Sequence, residues 1–220
     1  MFNLSLTACS FYFKKSNSRK LDKIFSLNSA VTGIHNDKEF ALSGAQELFE
    51  SFFRAHENMA TDDIRKQTFS CRYEDTFTCE TAAFKMLYTK IQSGIYGTSS
   101  EIYDADTRKV KLKKSARDID VRPFYLFVVL PKDTEDLKVQ KGMLIFQNVG
   151  QFGVKTITTE LMQSYFSSQY GITIVCKTIA PDLFIKKVIR KDNIKKLVMI
   201  KNVKSADDTD TGRGYGKAGI

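Results

Sequence analysis

The chain predicts an α+β fold: a central mixed or antiparallel β-sheet with a β-β-α-β core and flanking helices. Three observations carry this. Three near-continuous apolar runs of strand length, Phe124–Leu130, Met143–Phe146 and Ile172–Cys176, are rich in Val, Ile, Phe and Tyr and bounded by Pro or Gly. Between the second and third, Thr156–Tyr170 sets Ile157, Leu161, Tyr165 and the pair Met162 and Phe166 at helical spacing, and Gly171 stops it. Runs this apolar are expected to be covered on both faces, which puts the sheet at the centre.

Gly150 and Gly153 sit at the corner between the second strand and the helix. Glycines ahead of a helix N-terminus can cradle phosphate. Two glycines three apart do not make a dinucleotide fingerprint, and no Gly-Lys-Ser/Thr follows, so a tight turn is the expected use.

The other elements follow in order. Leu4, Leu6 and Ala8 alternate with polar residues, and Phe11-Tyr12-Phe13 extends them into a first strand. Ser16–Ala30 reads as a helix, with Leu21, Ile24 and Phe25 at helical spacing, and Gly33–Asp37 as a turn. Ser43 to Gln46 has capping-box spacing, and Leu48, Phe49, Phe52 and Phe53 share one face of a helix to about Glu57. Asn58–Asp63 reads as a loop. Phe69, Cys71 and Tyr73, then Phe77 and Cys79, predict strands broken near Glu74-Asp75. Phe84, Met86 and Tyr88 continue the alternation towards Gly94 and Gly97. A hairpin is expected from Glu101–Tyr103, over Asp104-Ala105-Asp106, into Arg108–Lys114, and Ser115–Val121 links it to the central block. Pro181 and Asp182 suit the start of a helix, and Ile194–Asn202 reads as a strand.

At 220 residues, one α+β domain over 1–202 is expected, with a candidate sub-boundary near 115–122 and a Gly-rich, disordered tail over 203–220. No apolar run approaches the roughly 20 residues of a membrane span, so no direct membrane insertion is expected. The first ten residues do not read as a signal peptide. Cys9, Cys71, Cys79 and Cys176 lack Cys-x-x-Cys spacing and read as reduced thiols of a cytoplasmic protein.

Catalytic patterns are absent from the sequence. His35 and His56 have no spaced ligand partner, and no Gly-x-Ser-x-Gly or His-Glu-x-x-His occurs, so no cofactor or metal is expected. Pro181-Asp182 lacks the Asp/Glu-x-Lys that a metal-dependent nuclease signature needs.

Positive charge is better organised. The chain carries a formal +9. Leu183–Lys204 holds eight basic residues against one acid, Asp192. On a helix, Phe184, Ile185, Val188 and Ile189 fall on one side, and Lys186, Lys187, Arg190 and Lys191 on the other. Lys195 and Lys196 extend the basic run. In the hairpin, Lys109, Lys111 and Lys113 alternate with Val110 and Leu112 and share one strand face. Ordinary solvated faces look like this too. Clustered cations without acids nevertheless repel one another, and nucleic-acid phosphate offsets that repulsion with release of counterions. No Asn, Gln or Arg cluster for base edges and no paired aromatic signature for single strands is apparent. The expected ligand is double-stranded DNA, bound by its backbone independently of sequence.

Pro123-Phe124-Tyr125-Leu126-Phe127, Leu144-Ile145-Phe146-Gln147, Phe152-Gly153-Val154 and the basic run Ile194–Ile200 together resemble the Rex A-type phage-exclusion proteins of lambdoid phages. They are also similar to a wider set of bacterial proteins from prophage and defence settings. The resemblance spans roughly Phe84 to Asn202. It implies an α+β fold, a homodimer, non-specific binding of double-stranded DNA and a role in abortive infection beside a membrane-protein partner. It carries over no catalytic residue. The sequence thus points to a non-enzymatic DNA-binding protein of prophage or anti-phage defence type. Two rivals remain: an interaction module whose charge serves solubility, and a nuclease whose fold gathers Asp104, Asp106, Asp118 and Asp120.

Overall fold

A computed structural model describes residues 4–16, 25–135, 137–150 and 152–179. The fold is α+β, dominated by one antiparallel sheet that curls into a half-barrel. Its strands are β1 (Leu4–Lys15), β4 (Ala60–Asp62), β5 (Gln67–Glu80), β6 (Phe84–Ile95), β9 (Asp120–Pro131), β10 (Gly142–Val149), the short β11 (Phe152–Gly153) and β12 (Ile172–Thr178). Two hairpins stand outside it: β2 (Val31–His35) with β3 (Lys38–Leu42), and β7 (Ser100–Tyr103) with β8 (Val110–Lys114). The helices are α1 (Ala45–Ala55) and α2 (Lys155–Tyr170).

Sheet order is β12-β1-β10-β9-β6-β5-β4, with β11 on β10, and every pairing is antiparallel. Along the chain, β9, β10, β11, α2 and β12 follow one another. In space, β1 lies between β10 and β12. The chain's first strand is therefore interior to the sheet, hydrogen-bonded on both sides.

The core lies between one face of this sheet and the two helices. β1 buries Cys9, Phe11 and Phe13; β9 buries Phe124, Leu126, Val128 and Leu130; β10 buries Leu144 and Phe146. Against them α1 sets Leu48, Phe49, Phe52 and Phe53, spaced to share one helix face, and α2 sets Ile157, Met162 and Phe166. Phe49 lies 5.2 Å from Phe11 and 5.8 Å from Phe166, both edge to face, and Phe13 meets Phe166 edge to face at 5.6 Å. Such geometry sets the positive ring edge on the negative ring face. Helix α2 ends at Gly171, whose φ of 61° is the left-handed cap that glycine adopts without strain.

The structure corrects several sequence expectations. Among the described residues the apolar runs are covered on one face only. Along β9 burial alternates: Phe124, Leu126 and Val128 are buried, whereas Tyr125 is 40 % exposed. A run of large apolar residues satisfies an antiparallel strand with one covered face as readily as a doubly covered one. Helix is absent from residues 25–30, which form turns, and 17–24 lie outside the described residues. The expected turn at Gly33–Asp37 is a full hairpin. Asn36 and Asp37 both have positive φ, 49° and 61°, the signature of a two-residue hairpin turn that Asn and Asp tolerate best. The cap of α1 is displaced by one residue: Ser43 donates from its backbone N–H and its hydroxyl to Glu47, at 2.7 and 3.0 Å, and Gln46 turns to Glu50 instead.

His56 closes α1. Its Nδ1–H donates to the Phe52 carbonyl at 2.9 Å, and its ring packs on Phe52, Phe69 and Tyr165. Burial holds its pKa below the ordinary histidine value, and the Phe52 carbonyl opposes this only in part. The unfolded chain therefore takes up the proton first. Stability is intact above the unfolded value of about 6.5 and falls as pH drops below it towards the lower folded value. Urea titrations between pH 7.5 and 5 are expected to show this loss, and His56→Gln to flatten it. Phe49→Ala, which empties the centre of the aromatic core, is expected to cost about 3–5 kcal/mol in the same titration.

Candidate nucleic-acid interface

The sequence-predicted lysines Lys109, Lys111 and Lys113 lie on the β7–β8 ribbon. This ribbon leaves the sheet after β6 and returns to it at β9, where Ile95 and Asp120 face one another across the ladder. Every residue of β7 is exposed, as is β8 up to Lys113. Ile102, Tyr103, Val110 and Leu112 are between 42 and 56 % exposed, so neither ribbon face joins the core.

The three lysines are close together but do not form the single strand face expected. Lys109 precedes β8 and its carbonyl accepts from the Asp104 N–H at 2.9 Å. Lys111 sits at a register shift: Ile102 pairs with Leu112 and Tyr103 with Val110, which leaves Lys111 as the extra residue of a bulge. A bulge re-aims its side chains, so strict alternation fails there. Lys113 pairs with Glu101 at 3.3 Å, and Glu101 also accepts from the Tyr103 hydroxyl at 2.8 Å. Among the described residues, Lys109 and Lys111 have no ion pair. Lys186, Lys187, Arg190, Lys191, Lys195 and Lys196 lie outside the described residues.

Sequence reasoning missed further cations at the root of the ribbon. There a cavity of about 310 Å³ is lined by Gln67, Ser93, Lys114, Asp120, Arg122 and Phe152, among others. The Arg122 guanidinium lies 4.5 Å from the centre of the Phe152 ring and donates to Asp120 at 3.2 Å. The Lys114 ammonium donates to the Ile95 carbonyl at 3.4 Å, and Gln67 to the Ser93 hydroxyl at 3.0 Å. The nearby N-terminus of α2 has no side-chain cap and no acid in its first turn, so its own first turn does not offset its positive end. Arg122 and Asp120 stand opposite Ser93 and Ile95 across the β6–β9 ladder, a proximity that sequence distance hides.

The carboxylates of the nuclease reading are not gathered into a metal-holding group among the described residues, and Asp104, Asp118 and Asp120 are each engaged locally. Asp104 caps the ribbon turn, accepting from the N–H of Asp106 and from the N–H and hydroxyl of Thr107. Asp118 accepts from the Ser115 N–H at 2.7 Å, and Asp120 is held by Arg122. Among the described residues no three His, Cys, Asp or Glu side chains could hold a metal ion. Burial pushes the Cys71 thiol up, and burial with neighbouring Cys9 pushes Cys176 up to about 12, so both stay protonated at neutral pH. The corner glycines serve turns and close packing. Gly150 has a φ of 62°, and a Cβ on Gly153 would strike the Asn148 amide.

Comparison with protein-family models, with curated proteins and with solved structures finds no match. Among the described residues no helix is long and apolar enough to cross a membrane.

Asp104 fixes how the ribbon turn presents Lys109. The Thr107 N–H, then its hydroxyl, then the Asp106 N–H hold the carboxyl below the ordinary carboxylate range. A lowered folded pKa means that the support is present above about 3.9 and is lost as pH falls through the folded value. Asp104→Ala is expected to speed amide exchange at Asp106 and Thr107 while leaving the thermal midpoint of the protein within about 2 °C. Amide exchange by NMR reads the first effect and calorimetry the second.

Proposed function

We infer that the protein binds duplex DNA by its phosphates, with little dependence on sequence and no chemistry on the DNA. The β7–β8 ribbon carries this reading: an exposed two-stranded arm bearing Arg108, Lys109, Lys111, Lys113 and Lys114. The major groove, about 12 Å wide, admits a two-stranded ribbon. Lysine-rich arms suit phosphate, because a point charge on a flexible stem follows a backbone without reading base edges. The basic residues Lys186, Lys187, Arg190, Lys191, Lys195 and Lys196 add charge of the same sign. We read β9, β10, α2 and β12 as the β-β-α-β unit on which the arm is mounted. A prophage or anti-phage setting, with a membrane-protein partner, rests on the resemblance to phage-exclusion proteins alone. The outer face of the sheet favours a second reading, a protein-binding module whose charge serves solubility.

Fluorescence anisotropy on unrelated duplexes between 50 and 200 mM salt tests the first reading. Affinity is expected to fall steeply with salt and alike for every sequence. Lys109→Glu with Lys111→Glu is expected to lower the log–log salt slope by roughly two, since about 0.9 counterion is released per phosphate contact. Changing Lys186, Lys187, Arg190 and Lys191 to Glu is expected to abolish binding. A wild-type protein that does not bind at low salt overturns the reading.

A further inference from the structure

The core face of the half-barrel changes character at one end. Along β9 that face carries Leu126 and Phe124, both buried, and then Arg122 and Asp120. Along β6 the buried Ile91 gives way to Ser93, and along β5 the buried Phe69 gives way to Gln67. The registers set Phe69, Ser93 and Arg122 side by side, and Gln67, Ile95 and Asp120 in the next row. Residues directly opposite one another share a sheet face. Arg122 and Gln67 therefore stand on the face that packs the helices, one step past the last ring of the core. Core packing has no use for a guanidinium, a carboxylate and an amide there. The mouth of a barrel is a recurrent place for a small-molecule site. The cavity these residues line, about 310 Å³, is at the lower end of the roughly 300–1,000 Å³ of such sites.

The polar groups of this cavity are held ready. Arg122 is fixed twice, by Asp120 at 3.2 Å and by the Phe152 ring beneath it at 4.5 Å. The second face of its plane, and most of its five N–H donors, have no partner among the described residues. Asp120 matches its charge. Lys114 is not matched: among the described residues it has no ion pair, and the Ile95 carbonyl at 3.4 Å is its hydrogen-bond partner. Asp118 feels its charge but is engaged by Ser115. Ser100 stands opposite Lys114 in the ribbon ladder and also lines the cavity. Gln67 gives one amide N–H to Ser93 at 3.0 Å, and Ser93, 3 % exposed, donates onward to the Thr68 carbonyl at 2.7 Å. The amide is thus oriented while its oxygen and second N–H stay unused among the described residues.

These groups suit the parts of one ligand. An unmatched ammonium beside a hydroxyl suits phosphate. A guanidinium plane backed by a ring suits a planar heterocycle, since bases stack on arginine planes. An amide with a donor and an acceptor to spare suits a base edge. We propose that the cavity at the root of the ribbon binds one nucleotide, its phosphate on Lys114 and Ser100 and its base on Arg122 and Gln67. That nucleotide is either free or the terminal one of a DNA strand. The inference goes beyond the reading of the ribbon as a backbone-binding arm, and it needs neither Lys109 nor Lys111.

Calorimetric titration and amide NMR of the full chain with deoxyadenosine monophosphate test it. Saturable binding at one site is expected, with shifts at the Ser93, Phe152 and Gly153 amides. Deoxyadenosine and inorganic phosphate are each expected to bind about tenfold more weakly or worse. Lys114→Ala is expected to weaken the nucleotide about tenfold, as is Arg122→Lys, which keeps the charge and removes the plane. Ser100→Trp, at an exposed position, is expected to fill the cavity and abolish binding with the remaining amide spectrum unchanged. Lys109→Glu with Lys111→Glu is expected to leave nucleotide affinity unchanged, so a failure of the duplex reading is told apart from a failure here. Displacement of the nucleotide by a duplex with phosphorylated ends, but not by an end-closed dumbbell, supports the site and assigns it to strand termini. Displacement by neither supports it as a site for free nucleotide. Displacement by both places the probe on the duplex-binding surface and overturns the proposal. No saturable binding up to about 1 mM overturns it too. So does inorganic phosphate that binds as well as the nucleotide, or binding that Ser100→Trp leaves intact. Should Arg122→Lys unfold, the Ser100→Trp result still decides.

Discussion

The edge-to-face meeting of Phe11, Phe13, Phe49 and Phe166 holds the remaining elements in place. Phe11 and Phe13 belong to β1, Phe49 to α1 and Phe166 to α2, so one cluster joins the first strand to both helices. Helix α1 is thereby set over the β5 end of the sheet, and α2 is set to deliver the chain to β12. Fully buried rings of this size dominate a core's energetics, and their edge-to-face preference restricts how the layers can be rotated. Alternative packings of α1 and α2 on the sheet are disfavoured by geometry as well as by lost area.

The cluster matters because β1 must accept two neighbours that arrive late. It pairs with β10 and then with β12, the last described strand. These pairings span most of the described chain and cannot form until nearly all of it is present. Such non-local closure slows folding. Helix α1 follows β1 closely in sequence and offers Phe49 to Phe11 early, which covers the buried side of β1 before its partners come.

Much of this fold is legible in the sequence. The alternation of β1, the runs of β9 and β10, and the helical spacing of α2 all lie where periodicity places them. Periodicity is silent on pairing, so nothing in the sequence inserts β1 between β10 and β12. It also failed where one pattern has two physical solutions. The run Phe124–Leu130 reads as doubly covered, but its odd-numbered members face outward. The β2–β3 hairpin was missed although its Asn36-Asp37 turn is a strong signal, because the flanking strands are short. Of the candidate site, the charge of Lys109, Lys111 and Lys113 is legible. The bulge at Lys111, the Glu101–Lys113 pair and the position of Arg122 beside the ribbon root are not, since each depends on register. The local use of Asp104 and Asp118 follows from the habit of Asp to bond N–H groups two or three residues on.

The ladder between Ile95 and Asp120 has a consequence for how this protein can vary. Strands β6 and β9 are paired along their full length, so the ends of the intervening segment are already held together by the sheet. Lengthening or shortening that segment changes its closure entropy only logarithmically, and each doubling costs about 0.6 kcal/mol. None of its strand residues belongs to the core. The ribbon is therefore an interchangeable part. Its length, tip and charge can drift or be exchanged while the scaffold beneath keeps its register, so homologous chains can share this sheet and carry arms of different size and sign.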